Sequence, residues 1–582
     1  MTWIQPVNPL NNQALSALVA LVPVLVIFWA LIIKKTKGYK ASLMACVAAI
    51  IIAILVYGMP VKLAALSVAN GALYGFFPIC WIVITAVFLF NITVKSGQFE
   101  VIKHFMASIT ADRRLQAMLI AFSFGAFLEG TAGFGAPVAI TAAMLVGLEF
   151  DPMYATGLCL IANTVPVAFG SVGIPIAVAA QVSGLHEMEI SQMVGRTLPI
   201  LSVFTPLYLV VLMSGFKRSM EVLPAILVSG LSFALLQFFT SNYLGPALPD
   251  IIAAIGSIIA LIVLLRFWKP KTIWRFSNEK SPASVVKDNY TLTQIITAWS
   301  PFLLLTIIIL AWGLPPVKDF LNAKGQLQFN FPGLHNGIAD QKGALLPHIF
   351  KFNYLSAAGT AVLLSAIIAI PIVGLSYKEG LQVFGDTLKQ LKFPIITIMS
   401  VLSFAYIVND SGITTTIALM LANTGILFPF FAPVLGWLGV FITGSDTAST
   451  ALFAKLQYVT ATSIGVPPVV TVAANCSGGV VGKMISPQSI AVAAAAGNLV
   501  GRESDLFRFT IKHSFIILFF LCLLVTGQAY LFKWIIPASI PAKAAGASLN
   551  TGIPGYTWLI LLGLVIAVFI TILKLAGRKK AA

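Results

Sequence analysis

Apolar residues fall in runs of about 20 along this chain, separated by short polar and basic segments. A helix of that length matches the hydrocarbon thickness of a bilayer. The pattern predicts full crossings near residues 13–33, 42–59, 77–94, 152–181, 197–213, 224–240, 251–265, 295–314, 354–373, 393–408, 467–498, 513–534 and 556–575. The apolar stretch 115–148 is long for one crossing and short for two. It is broken at its centre by Glu129-Gly130-Thr131-Ala132-Gly133-Phe134-Gly135. A second such stretch, 427–460, is broken at Thr443-Gly444-Ser445-Asp446-Thr447. Both read as re-entrant hairpins, because irregular backbone at membrane depth is tolerated only inside protein or around a water-filled cavity. Crossings 152–181 and 467–498 read as discontinuous helices. The first is interrupted at 163–166 and 170–175, the second at 475–482 and at Ser486-Pro487.

Landmarks recur along the chain. Phe77-Pro78-Ile79 returns as Phe393-Pro394-Ile395, Ser96-Gly97 as Ser411-Gly412, Ala162-Asn163 as Ala474-Asn475 and Pro175 as Pro487. Their shared order points to an internal repeat. The expected division is N-terminal spans in 1–76, a first repeat in 77–215, linking spans and loops in 216–392, a second repeat in 393–535 and a C-terminal span in 536–582.

Charge orients this layout. Of 36 Lys and Arg residues, 26 fall on one set of loops and 7 on the other. Basic loops stay cytoplasmic, so the N-terminus is expected outside and the C-terminus inside, after about 13 crossings. The first repeat then starts outside and the second inside. The fold class is an all-α polytopic membrane protein, an inverted-repeat secondary transporter. Such carriers form their sites at the repeat interface from broken helices.

Composition narrows the function. The chain of 582 residues is 59% hydrophobic and 9% charged, far below the roughly 25% charged of soluble domains. The net charge of +17 follows from basic loops, so nucleic acid is not an expected partner; membrane lipids are. Five scattered cysteines without a CxxC pair, and five histidines in or beside loops, give no expectation of a disulfide framework or a metal site. No P-loop is present to drive transport with ATP. A transporter is expected, not an enzyme.

The tips carry the candidate chemistry. Broken helices offer N-terminal N–H groups that suit an anion, and Gly130 and Gly444 allow close backbone approach. Thr131, Ser445, Thr447, Asn163 and Asn475 add neutral donors and acceptors. Ser486 and Gln488, in the second broken segment, complete the neutral set. Lys483 reads equally as a countercharge for an anionic substrate or as a snorkelling or structurally paired lysine. Glu129 and Asp446 stand one at each tip. Burial disfavours the charged form of a carboxyl, so both are candidate proton carriers, with a structural helix cap as the alternative for each. Asp410, Asp386, Arg196 and Lys455 read as interfacial.

Glu129 to Ala142, Leu435 to Thr447, Gly482 to Ala491 and Gly501 to Arg508 resemble the signatures of the bacterial L-lactate permease family, and the resemblance covers nearly the whole chain. It implies a multi-pass carrier of the bacterial inner membrane that moves lactate, and in some members glycolate, with a proton. It implies no cofactor beyond the coupling ion. Glu-Gly-Thr and Gly-Ser-Asp-Thr at the tips depart from the Ser-Asn-Thr pattern of sodium-coupled relatives in the wider group; that favours H+ and leaves Na+ open. The rival readings are a sodium-coupled carrier of another small carboxylate and an anion channel. An intramembrane aspartyl protease lacks its Gly-x-Gly-Asp motif here. Stereoisomer, stoichiometry and a homodimeric assembly stay open.

Overall fold

In the computed structural model, which describes residues 2–34, 36–133, 135–276, 290–341 and 343–540, helices account for nearly all regular structure. The predicted span 556–575 lies outside the described residues. Helix α1 (Gln13–Phe28) is capped by the Asn12 side chain, which accepts from Leu15 N. It is followed by α2 (Gly38–Leu55), α3 (Val61–Tyr74) and α4 (Trp81–Lys95). The last two run as one 35-residue apolar helix kinked at Phe77. Gly97, with φ +75°, ends it and starts α5 (Gln98–Ser108).

The first broken stretch contains α6 (Arg113–Gln116), a wider-coiled segment at Ala117–Phe124, α7 (Gly125–Thr131), a turn, and α8 (Ala136–Gly147). Next come α9 (Pro152–Ala162) and α10 (Gly170–Ser183), bent by 60° at their junction. Then follow α11 (Glu187–Ser214), the short α12 (Phe216–Met220), α13 (Leu223–Tyr243) and α14 (Pro249–Phe267). The linking region holds α15 (Leu292–Gly313), α16 (Pro315–Gly325) and α17 (Ala358–Ile372).

The second half follows α17. It contains α18 (Tyr377–Asp410), α19 (Ile413–Ala422), α20 (Phe428–Thr443), α21 (Asp446–Ser463), α22 (Pro468–Lys483), α23 (Pro487–Ala496) and α24 (Glu503–Tyr530). The α3–α4 pair and α18 are both long helices carrying a Phe-Pro step at the same place. Gly97 and Gly412 both turn the chain in the left-handed region. Helices α11 and α24 are each 28 residues long.

Ten of the described helices are long and apolar enough to cross a membrane, or twelve if each bent pair counts as one span. Three differences from the expected crossings stand out. Residues 61–74 are helical, extending the predicted 77–94 crossing toward its N-terminus. Helix α17 has only 15 residues where 354–373 was expected to cross. Helix α22 is unbroken from 468 to 483, so the expected interruption at 475–482 is absent. Its glycines serve packing instead: a Cβ at Gly478 or Gly482 would fall on the carbonyl oxygens of Pro433 and Trp437. Without side chains there, α22 lies directly along α20, the close approach that small residues permit between membrane helices.

Elsewhere α18 packs on α2 and α3, α17 on α4, and α11 on α13, which in turn packs on α14. Outside the helices, β1 (Trp3–Ile4) pairs in parallel with β3 (Ile338–Ala339), and β2 (Leu327–Asn330) pairs antiparallel with β4 (Ile349–Phe352). This segment is anchored to the helices. Gln5 Nε2 donates to the carbonyls of Asn409 and Asp410, and His348 Nε2 lies 3.1 Å from both carboxyl oxygens of Asp410. Ser67 Oγ donates to Asp410 at 2.6 Å. Burial alone would lower the His348 pKa, yet Asp410's hydrogen bond and charge leave it above its ordinary value.

The residues read as interfacial have these surroundings. Asp410 is buried at the end of α18. Lys455 Nζ donates to Ser183 O at 3.3 Å. Arg196 donates to Asn242 Oδ1 and to the Ile535 carbonyl. Asp386 is exposed. Arg114, counted above among loop charges, is fully buried and paired with Asp112 and Glu221 at 2.8 Å each. Arg114 also donates to the carbonyls of Arg218 and Thr272, which ties the start of the first broken stretch to those segments.

Candidate functional site

Both tips, the break after α9 and the end of α22 converge on one partly open cavity, with about 590 Å³ of empty space including its mouth. Seven of the residues singled out in the sequence line it: Glu129, Gly444, Ser445, Asp446, Thr447, Lys483 and Gln488.

At its centre Lys483 Nζ donates to Glu129 Oε1 at 2.7 Å, and Asn163 Nδ2 donates to Glu129 Oε2 at 2.9 Å. The two charged residues are 8% and 3% exposed. Each is placed by its local backbone. Glu129 lies in the last turn of α7, and its side chain lies over Gly170, where a Cβ would stand 2.8 Å from Oε1. Lys483 is the final residue of α22, where a cation suits the negative helix end. A buried ion pair of this kind is weak evidence for stability, because desolving two charges cancels much of their attraction. Removing one partner strands the other, and that is expensive.

The second tip is tighter. Gly444, with φ +71°, ends α20, and Ser445 caps α21 by accepting from Ala448 N. Asp446 opens α21 and is 3% exposed. Neither of its carboxyl oxygens has a hydrogen-bond partner among the described residues. It lies against Gly479, where a Cβ would collide with Oδ1.

Five of the predicted site residues are placed behind the cavity wall. Gly130 packs on the start of α14. Thr131 Oγ1 donates to the Phe127 carbonyl within its own helix. Asn163 holds Glu129. Asn475 is buried inside α22 with both amide atoms unpartnered among the described residues. Ser486 caps α23 by accepting from Ser489 N, and donates to Lys483 O and Ser489 Oγ.

The sequence reading missed Gly135, Gly170, Ser171 and Ser489, which line the cavity. Ser171 Oγ donates to Ala132 O at 3.2 Å and so ties α10 to the first tip. It also missed Asp250, buried at the start of α14 within electrostatic range of Glu129 and Lys483. The available signal was a carboxylate opening an apolar run at Pro249-Asp250, which reads as an ordinary helix start.

No group of three or more His, Cys, Asp or Glu side chains among the described residues is arranged to hold a metal ion. The arrangement suits a small anion: one buried ammonium and the open backbone of two helix breaks.

Comparison with known proteins agrees with this chemistry. The chain is 54% identical over 563 residues to the L-lactate permease of Bacillus subtilis strain 168, covering 92% of this chain and 100% of that one. It is 50% identical over 553 residues to the glycolate permease GlcA of Escherichia coli K12, covering 91% and 99%. Among solved structures it resembles Neisseria gonorrhoeae MtrF, of a class of antimetabolite efflux pumps, at a TM-score of 0.45 and 14% identity over 81% of this chain and 84% of that one. The family model described as L-lactate permease matches residues 16–532, and the chain belongs to that family.

Proposed function

We propose that the chain is a secondary carrier that imports lactate, and glycolate with it, together with a proton across the bacterial inner membrane. In this reading the hairpins are re-entrant, the two repeats are inverted, and the N-terminus faces outward. The names of the relatives supply the substrate class: the Bacillus subtilis protein is called an L-lactate permease and GlcA a glycolate permease. The observation that carries the mechanism is the buried Lys483–Glu129 pair in the cavity wall.

Lactate brings one carboxylate into a site whose single cation is already engaged. For the substrate to pair with Lys483, Glu129 must release it. A carboxylate left alone away from water costs several kcal/mol, so Glu129 takes a proton. Substrate and proton then enter together with no net charge. Gly444, Ser445, Thr447 and Gln488 surround the space where the substrate's hydroxyl and carboxylate oxygens would lie. Asp446, unpartnered at the second tip, is the other proton-coupling candidate.

The test is L-lactate uptake into proteoliposomes under an inward proton gradient without sodium, for wild type, Glu129→Gln and Asp446→Asn. Wild type should concentrate lactate, and at least one variant should exchange lactate across the membrane without concentrating it. Accumulation that requires sodium would instead support the sodium-coupled reading, with the tip carboxylates as ion ligands.

A further inference from the structure

Asp250 is the carboxyl at this site that the mechanism above leaves unused. It is the second residue of α14, only 1% exposed, and neither of its carboxyl oxygens has a hydrogen-bond partner among the described residues. Gly130 sets its position. A Cβ at residue 130 would stand 2.8 Å from Asp250 Cβ and 3.3 Å from Ile251 N, so the absence of a side chain lets α7 lie against the start of α14. That contact brings Asp250 within the field of Glu129, the residue before Gly130, and of Lys483.

The other walls around α14 add no charge. Residues 117–128 and 223–242 contain no Asp, Glu, Lys, Arg or His. Asp446 feels the same two residues, Lys483 and Glu129, from the opposite tip. Three carboxyls therefore lie within the field of one ammonium, and Glu129 alone touches it. Since Glu129 occupies the ammonium, Asp250 and Asp446 are left without a countercharge. The start of α14 attracts an anion, but a helix terminus cannot replace the donors a fully buried carboxylate loses.

We infer that Asp250 is a third carboxyl of the coupling centre and forms with Glu129 a linked pair that shares the proton carried with the substrate. This rests on the proton-coupled reading above. When a substrate carboxylate draws Lys483 away, Glu129 and Asp250 are left facing each other without a cation. Two carboxylates in one such site do not both stay charged. The pair takes one proton from solution: one O–H bond forms on either carboxyl, no bond within the protein breaks, and the substrate's negative charge is cancelled.

The test uses the full-length chain in proteoliposomes with L-lactate as the probe. Exchange is followed from about pH 5 to about pH 8, spanning the range where such switches titrate. Accumulation is followed under an imposed pH gradient. One proton per lactate gives wild type up to about tenfold accumulation per pH unit.

Asp250→Asn should still exchange lactate but concentrate it several-fold less, with its pH midpoint displaced, and Asp250→Glu should recover part of the loss. Glu129→Gln should keep a residual pH dependence that Glu129→Gln/Asp250→Asn lacks. An Asp250→Asn carrier with wild-type accumulation and midpoint overturns the inference. So does a flat pH profile in Glu129→Gln alone, which decides the matter even where Asp250→Asn does not reach the membrane. Wild type that fails to accumulate lactate without sodium removes the proton-coupled reading itself. Wild type that accumulates beside an unaffected Asp250→Asn removes only the role given to Asp250.

Discussion

Lys483 and Glu129, 354 residues apart, meet at 2.7 Å in the wall of the central cavity. This contact joins the last residue of α22 to the last turn of α7, and so joins the two halves of the chain at the site.

Lys483→Met should be strongly destabilising, because it leaves Glu129 buried without its cation. Breaking a buried pair from one side costs about 3–5 kcal/mol. Adding Glu129→Gln should recover most of that loss without restoring lactate transport. Thermal unfolding of the purified single and double variants checks the first part, and uptake checks the second. Equal melting temperatures for the two variants would contradict the pairing.

Gly478→Ala should lower stability, since the new Cβ meets the Pro433 carbonyl across the α20–α22 contact. Overpacking of this sort costs about 1–3 kcal/mol. Gly147→Ala, at the end of α8 with nothing within 4 Å of its Cβ, should be neutral or stabilising by up to about 1 kcal/mol. Melting temperatures of the pair separate packing from helix propensity.

The His348–Asp410 contact predicts a pH dependence outside the helices. The folded-state pKa of His348 lies above its unbound value of 6.5. The stabilisation is therefore complete below about pH 6.5 and fades as pH rises through the higher folded value. Protease cutting within 326–352 should become faster over that rise. His348→Asn should remove the pH dependence. A cutting rate that is flat with pH in the wild type would refute it.

Arg114→Lys should destabilise the base of the first broken stretch. Arg114 donates to Asp112, Glu221 and the carbonyls of Arg218 and Thr272 from one planar fork. A lysine ammonium has three donors and cannot reproduce that fan. Losing one or two hydrogen bonds between charged groups corresponds to about 2–3 kcal/mol. The readout is the yield of folded protein and its melting temperature.

Much of this arrangement is legible in the residues, for physical reasons. Glycine, proline and carboxylates are costly in a membrane helix, so composition alone marks Glu129 to Gly135 and Thr443 to Thr447 as places where a helix ends, although Glu129 itself stays in α7 and Asp446 in α21. Lys483 is visible for the same reason. Gly478 and Gly482 carry the same composition signal and mislead, because a glycine can break a helix or bring a second one close, and only the position of α20 decides between them. Thr131 and Ser486 look like ligand groups, yet a hydroxyl near a helix end can be spent on its own backbone. Asp250 is hidden because an acidic residue in a first turn is the usual start of a helix. Its meaning depends on Gly130, 120 positions earlier in the chain.

The two tip carboxyls also differ in where they stand relative to their turns. Glu129 precedes the first turn, within α7, whereas Asp446 follows the second, as the first residue of α21. Two identical halves related by an inverting two-fold axis would show lactate the same surroundings from the two sides and would work equally well in either direction. Here one half offers an acid engaged by lysine and asparagine, and the other an acid with no such companions among the described residues. In the carrier proposed above, that difference predicts two kinetically unequal faces, with separate half-saturation concentrations for entry and exit, so that equal and opposite gradients would drive unequal fluxes.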